Sequence, residues 1–181
     1  MVYFTADQHF YHENIIKYCN RPFDTVDDMN SCMIERWNKI IKRDDKVFIL
    51  GDFCLAHSRD IIKVGRALRG NKTLVLGNHD RASKSVYLEA GFKEVIKYPI
   101  LWNEFYILSH APKFMTENAP YFNIFGHVHN DPAYVDISKT GICVSVERTD
   151  YKPISFKEIC EKVKKGGDKD RPYNESSERA L

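Results

Sequence analysis

Five times in its first 127 residues the chain repeats one device: a short run rich in Val, Ile, Phe, Leu and Tyr that stops on a residue able to hold a metal ion. Val2 to Ala6 runs into Asp7, Lys46 to Leu50 into Gly51-Asp52, and Lys72 to Leu76 into Gly77-Asn78-His79-Asp80. Phe105 to Leu108 ends at Ser109-His110, and Tyr121 to Phe125 ends at Gly126-His127. Such runs, apolar almost throughout, predict strands buried on both faces. In open α/β sheets ligands collect in the crevice beyond the carboxyl ends of the strands. If these strands are parallel neighbours, or come from two facing sheets, their terminal side chains converge. Asp7 and His9, like His127 and His129, stand two residues apart and can each present a pair of ligands to one side.

Helical patterns separate the early runs. Thr25 or Asp24 can cap a helix from about 26 to 42 whose inner face carries Met29, Met33, Trp37, Ile40 and Ile41, with Asp27 and Asp28 in the first turn where the dipole favours them. A second helix is expected over 58–69, stopping at Gly70, and a third over 83–90, stopping at Gly91. The alternation of strand and helix indicates a parallel sheet in the first half. After Gly91, segments 94–101, 105–109, 121–126 and 142–147 read as strands, followed by an amphipathic helix over 155–165. The expectation is one domain over 1–165 and a mobile tail over 166–181, where Gly, Asp, Lys, Arg, Pro and Glu leave little to bury.

Composition narrows the function classes. With 181 residues, 43% hydrophobic and 29% charged, the chain is ordinarily globular. It contains no apolar run long enough to span a membrane, and its opening lacks a basic segment before an apolar one, so a cytoplasmic protein is expected. Five cysteines with no C-x-x-C pair indicate neither a disulfide framework nor a zinc knuckle. A net charge of +2 is too mild to mark a dedicated nucleic-acid binder.

Carboxylate, imidazole and amide oxygen together suit Mn²⁺, Fe²⁺, Co²⁺, Ni²⁺ or Zn²⁺ better than an all-oxygen calcium cage. Seven candidates (Asp7, His9, Asp52, Asn78, His110, His127, His129) exceed what one tetrahedral ion needs and fit two ions sharing a carboxylate. In this order the blocks Asp7-Gln8-His9, Gly51-Asp52, Gly77-Asn78-His79-Asp80, His110 and Gly126-His127-Val128-His129 resemble the signature of the calcineurin-like metallophosphoesterases. The resemblance spans residues 7–129, and it is the ordered set that makes it specific.

The resemblance implies an α/β fold, a four-layer α-β-β-α double sandwich of the metallo-dependent phosphatase type. It implies two divalent ions, Mn²⁺ first among them, with Asp7, His9 and His129 on one, Asn78, His110 and His127 on the other, and Asp52 bridging. His79 would contact the phosphate and protonate the leaving oxygen, with Asp80 orienting it. The implied activity is hydrolysis of phosphomono- or phosphodiesters, of nucleotide type or another small exposed phosphate. The Ser/Thr protein phosphatases fit poorly, because Phe53-Cys54-Leu55 follows Asp52 where they carry Asp-Arg-Gly, and Leu76 precedes Gly77 where they carry Arg.

His12, Asn14, Arg21 and Arg81 are further candidates, read as rim residues that contact substrate, an Arg being able to clamp a phosphate oxygen in two places. The bland alternatives are a surface loop with a helix start near Asn14 and a solvated lead-in at Arg81. His57 reads as a helix-start residue. Two other functions are open: a nuclease acting on nucleic-acid phosphodiesters, and an inactive scaffold that binds partners on the same fold. A scaffold usually lacks some ligands or the acid, and here all are present.

Overall fold

The computed structural model describes residues 1–166; the expected mobile tail, apart from Gly166, lies outside the described residues. Four parallel strands, β1 (Val2–Thr5), β2 (Lys46–Ile49), β3 (Asn71–Val75) and β4 (Phe92–Ile96), form a sheet in the order β4-β3-β2-β1. A two-residue strand late in the chain, β9 (Ile154–Ser155), closes its far edge antiparallel to β1. Helices α1 (Glu13–Tyr18) and α2 (Val26–Ile40) follow β1, α3 (Ser58–Ala67) joins β2 to β3, and α4 (Lys84–Glu89) joins β3 to β4. A second sheet, in the order β5 (Ile100–Trp102), β6 (Tyr106–Ser109), β7 (Phe122–Phe125), β8 (Gly141–Cys143), is parallel except for its first pair. A final helix, α5, covers Phe156–Gly166.

The absence of polar alternation in the runs has its reason in the packing. Tyr3, Val47, Ile49 and Leu74 join a core with Met29, Met33, Trp37, Ile61 and Val64 of the helices. Their neighbours Phe4, Leu50 and Val75 join a different core, shared with Leu108, Ile124 and Ile142 of the second sheet and Ile159 of α5. Both faces of the first sheet are therefore buried. Phe4 is fully buried, stacks on Phe48 at 5.5 Å and meets Trp102 of β5 edge-on at 5.3 Å. Emptying that position, Phe4→Ala, would cost roughly 3–5 kcal/mol.

Local signals set the helices. Thr25 caps α2, its hydroxyl accepting from Asp28 N at 3.1 Å. The helix stops at Ile40, short of the expected end, because Ile41 turns extended into the core. The expected strand over 94–101 is two strands in different sheets. Tyr98-Pro99 separates them, and Pro offers no N–H to either ladder. Likewise 142–147 divides into β8 and a 3-10 turn at Val146–Arg148.

The second sheet departs from the βαβ pattern. Its parallel crossovers, residues 110–121 and 126–140, contain no helix. The first is pinned through buried Asn123, whose Oδ1 accepts from Lys113 N at 2.7 Å while its Nδ2 donates to the Ile107 carbonyl. Among the described residues no helix is long and apolar enough to cross a membrane.

Candidate metal centre

Beyond the strand ends the backbone keeps pairing. Asp7 N donates to the Gly51 carbonyl, His9 N to that of Asp52 and Phe10 N to that of Phe53. This ladder carries Asp7, His9 and Asp52 side by side out of the first sheet. On the other flank Ala6 N donates to the Val144 carbonyl and Val146 N to that of Ala6, joining the same exit to the segment after β8. Asp7, His9, Asp52, His127 and His129 all have positive φ, between 46° and 73°. Non-glycine residues held there cost roughly 1–3 kcal/mol each and persist only where the surroundings fix them.

The side chains meet. Asp52 Oδ2 lies 3.4 Å from His9 Nε2 and 3.5 Å from His110 Nε2, and Asp7 Oδ1 lies 3.8 Å from His110 Nδ1. His110 Nε2 is 2.8 Å from Asn78 Oδ1 and 3.1 Å from His127 Nδ1. Asp7, His9 and His129 each bring one donor atom within 4.8 Å of the others, as do Asp7, Asp52 and His110. Two glycines permit the approach: a Cβ on Gly77 would collide with Asp52 Oδ1, and one on Gly126 with Asp7 Oδ2. The cluster opens to solvent at Asn78 and His127 and is closed below at Asp7, His9 and Asp52.

These atoms fit a cation. His110 Nδ1, 2.9 Å from the Leu50 carbonyl, must donate, which leaves Nε2 as a lone pair facing the Asp52 carboxylate and the Asn78 amide oxygen. Asp7 Oδ1 and His9 Nε2 are buried with no hydrogen-bond partner among the described residues. Unpaired buried polar atoms are costly, and a divalent ion would satisfy them. The donor set mixes carboxylate, imidazole and amide oxygen, which suits the intermediate divalent metals.

The two carboxylates are tuned in opposite directions. Burial pushes Asp7 up to about 6, against the pull of His129, His110 and the Ser145 hydroxyl. Burial also opposes ionisation of Asp52, but contact with His9, the charge of His110 and the His79 N–H outweigh it and hold Asp52 at about 2. Burial depresses His9 to about 4, so it stands as a neutral ligand at pH 7. His127 is lowered by burial and by the charge of His110.

The remaining candidates divide. His12 Nδ1 lies 3.3 Å from His9 Nδ1, above the cluster. Arg81 is exposed and lines a cavity with His79. Asn14 is exposed on α1. His57 precedes α3 without a side-chain capping bond. Arg21 is not a rim residue: it is 4% exposed, and its guanidinium donates to the carbonyls of Asp7 and Gln8 and to Glu147. With every donor direction facing protein, it supports the cluster from beneath. Among the described residues no hydrogen bond links Asp80 to the His79 imidazole. Its four hydrogen bonds come from the main-chain N–H groups of Asp52, Phe53 and Gly77 and from the Tyr87 hydroxyl. It fixes the two loops together, and His79 is set through its own N–H, which donates to Asp52 Oδ1 at 2.8 Å.

Two residues that the motifs do not mark belong to the site. Ser145 donates to Asp7 Oδ2 at 2.6 Å, beside the His127 N–H at 2.7 Å. Glu147 accepts from His129 Nδ1 at 2.9 Å, which leaves Nε2 as the nitrogen free to bind a cation. Arg21 holds the other flank of Glu147 at 2.7 Å. Despite burial, bonding to His129 and the charge of Arg21 keep Glu147 at about 2, while burial of His129 is outweighed by Cys19, Glu147 and Asp7, which raise it to about 10. Cys19 joins His129 and Glu147 in a further group of donor atoms within 4.8 Å. The sequence signal for this pair is faint: Arg21 and Glu147 stand 126 positions apart.

No family model matches the chain. It is 32% identical over 174 residues to the uncharacterized protein MJ1445 of Methanocaldococcus jannaschii, a match covering 91% of this chain and 92% of that protein. Among solved structures it resembles AQ665 from Aquifex aeolicus, a protein of unknown function, with a TM-score of 0.69 and 31% identity over 89% of this chain and 98% of that one. Nuclease MPE from Pseudomonas putida overlaps 71% of this chain and 60% of its own, at a TM-score of 0.49 and 19% identity, a distance at which the overlap bears on neither fold nor activity. At 32% identity over nine-tenths of both chains, the protein belongs to the same family as MJ1445.

Proposed function

We propose that the protein is a metal-dependent phosphoric ester hydrolase of the calcineurin-like type. On this reading one domain over residues 1–165 forms a four-layer α-β-β-α sandwich in the cytoplasm. It hydrolyses phosphomono- or phosphodiesters of small, exposed, nucleotide-type substrates. The observation that carries the reading is the set of buried acceptor atoms, Asp7 Oδ1, His9 Nε2, Asp52 Oδ2 and His110 Nε2, that face one another without enough protons to pair them.

Asp7, His9 and His129 would hold one divalent ion, Asn78, His110 and His127 the other, with Asp52 between them; Mn²⁺ is the first candidate, with Fe²⁺, Co²⁺, Ni²⁺ and Zn²⁺ sharing its ligand preferences. Two such ions, when bound, neutralise charge on the phosphoryl oxygens and bring the pKa of a water toward neutrality. The chain's own part is to orient and to move a proton. His79, half-buried at the mouth and tied by its N–H to Asp52, gives its proton to the leaving oxygen. Asp80 keeps the Asp52 and His79 loops in register. His12 and Arg81 stand where they can reach the substrate.

The test is metal analysis and calorimetric titration with Mn²⁺ of chelator-stripped protein, followed by a hydrolysis screen over mono-, di- and cyclic nucleotide phosphoesters. Uptake of two ions per chain with hydrolysis of small esters is expected. A protein that takes up no divalent ion is the inactive scaffold, and one that cleaves long DNA or RNA in preference to every small ester is the nuclease.

A further inference from the structure

Two grooves leave the cluster on opposite sides of the β1 exit. The exit is flanked by Gly51, which accepts from Asp7 N, and by Val144 and Val146, which pair with Ala6. On the Gly51 flank lies a cavity of about 550 Å³ whose walls include Tyr11, Leu55, His57, His79 and Arg81. On the other flank, reached through His129 and its partner Glu147, lies a cavity of about 590 Å³ walled by Tyr18, Asn20, His127, His129 and Tyr134. No described residue lines both. The His9 ring stands between them, 5.3 Å from that of His79 and 5.2 Å from that of His129.

Each groove has the size of a site for a small organic group, about 300–1,000 Å³. Each also offers an aromatic surface. Tyr11 is held at φ 62°, unusual for so bulky a residue, by the bond from its N–H to buried Asn30. Tyr18 and Tyr134 are 73% and 43% exposed. Neither groove has the cations that follow a polymer backbone. Among the described residues the first is lined by one cation, Arg81, and one carboxylate, Asp60, and the second by Asp131 and by no Lys or Arg.

Resting on the phosphoesterase reading above, we infer that the site takes a small linear phosphodiester with an aromatic-bearing organic group on each side of phosphorus, one group in each groove. A monoester fills one groove and leaves the other to water. A cyclic diester returns both ester oxygens to one sugar and again fills one groove. The reaction is a hydrolysis: water adds its oxygen to phosphorus, one P–O ester bond breaks, the departing oxygen takes a proton from His79, and the proton given up by the water passes to solvent, from which His79 is reprotonated. The products are an alcohol and a phosphomonoester, which by the same logic is the poorer substrate.

The test compares kcat/KM of the Mn²⁺-loaded full chain on a dinucleoside monophosphate, a 2′,3′-cyclic nucleotide and a nucleoside monophosphate, with Tyr134→Ala and Tyr11→Ala alongside. The linear diester is expected to lead both others by at least ~10-fold, and each Tyr variant to raise its KM by about 5- to 10-fold, as loss of one stacked base does. Hydrolysis of the monoester or cyclic ester as fast as the linear diester, with Tyr134→Ala leaving that ratio unmoved, overturns the inference while the phosphoesterase reading stands. Bound metal with no hydrolysis of any of the three overturns both.

Discussion

The two sheets reach the candidate metal centre by different routes. The first delivers Asp7, His9, Asp52 and Asn78 from strands spaced by helices, and its exits are laced by main-chain bonds and by the Asp80 carboxylate, which grips three N–H groups from the neighbouring Asp52 and Gly77 loops. The second delivers His110, His127 and His129 from long crossovers with no helix, and those residues are positioned by groups of other segments. Asp7 holds His127 N, the Leu50 carbonyl holds His110, and Glu147 holds His129. One half is built on local order, and the other borrows its geometry from across the interface. The contrast teaches that the second half is the one whose precision depends on pairings distant in sequence.

On the proposed two-ion reading, Asp52→Asn tests whether both halves depend on the Asp52 carboxylate. It should weaken both ions together and cost about 10³-fold or more in kcat/KM, read by metal stoichiometry and turnover. Retention of one tightly bound ion would reduce Asp52 to a ligand of one half. His79→Ala should keep both ions and lose roughly 10²–10⁴-fold in turnover, since no metal bond is removed; full activity would remove His79 from its role as acid while leaving the ligand set intact.

Glu147→Gln separates the halves. It should lower the affinity of the ion held by His129 by about 10–100-fold and leave the other nearly unchanged, measured by calorimetric titration. Equal loss at both ions would mean that Glu147 supports the centre as a whole. The smallest effect expected is on pH-dependent stability of the metal-free protein. The folded-state pKa of His129, about 10, lies above its unfolded value, so the folded chain binds more protons between pH 6.5 and 10. That contribution is complete below pH 6.5 and is lost as pH rises through 10, on the order of a few kcal/mol. Denaturant unfolding at pH 6.5 and 9.5 should reveal the slope. Metal loading, which requires neutral His129, or Glu147→Gln should flatten it.

Much of the first half was legible because its signals are local. The Met29, Met33, Trp37 stripe and the Thr25 cap specify α2 within one stretch of chain, and the runs ending at Leu50 and Leu76 stop at Gly51 and Gly77. The second half was less legible for the same reason reversed. Residues 94–101 read as one apolar strand, and only the competition of two sheets for its halves, with Pro99 unable to pair, divides it. Arg21, in Asn-Arg-Pro, has the composition of a surface loop; nothing nearby reveals that Glu147 makes its burial possible. Glu147 itself, in Ser-Val-Glu-Arg, looks like the solvent side of a strand until the 3-10 turn aims it at His129.

What the sequence determined alone was the identity and order of the chemistry-bearing side chains and the buried strands that end on them, since both follow from residue type and short-range pattern. Tertiary structure decided which atoms are left unpaired, which nitrogen of His110 and of His129 is free to bind a cation, and on which sides of His9 the chain leaves a groove. Those depend on contacts between segments more than a hundred residues apart, such as Asp7 with Ser145 and Arg21 with Glu147, and burial alone turns such pairings into geometry.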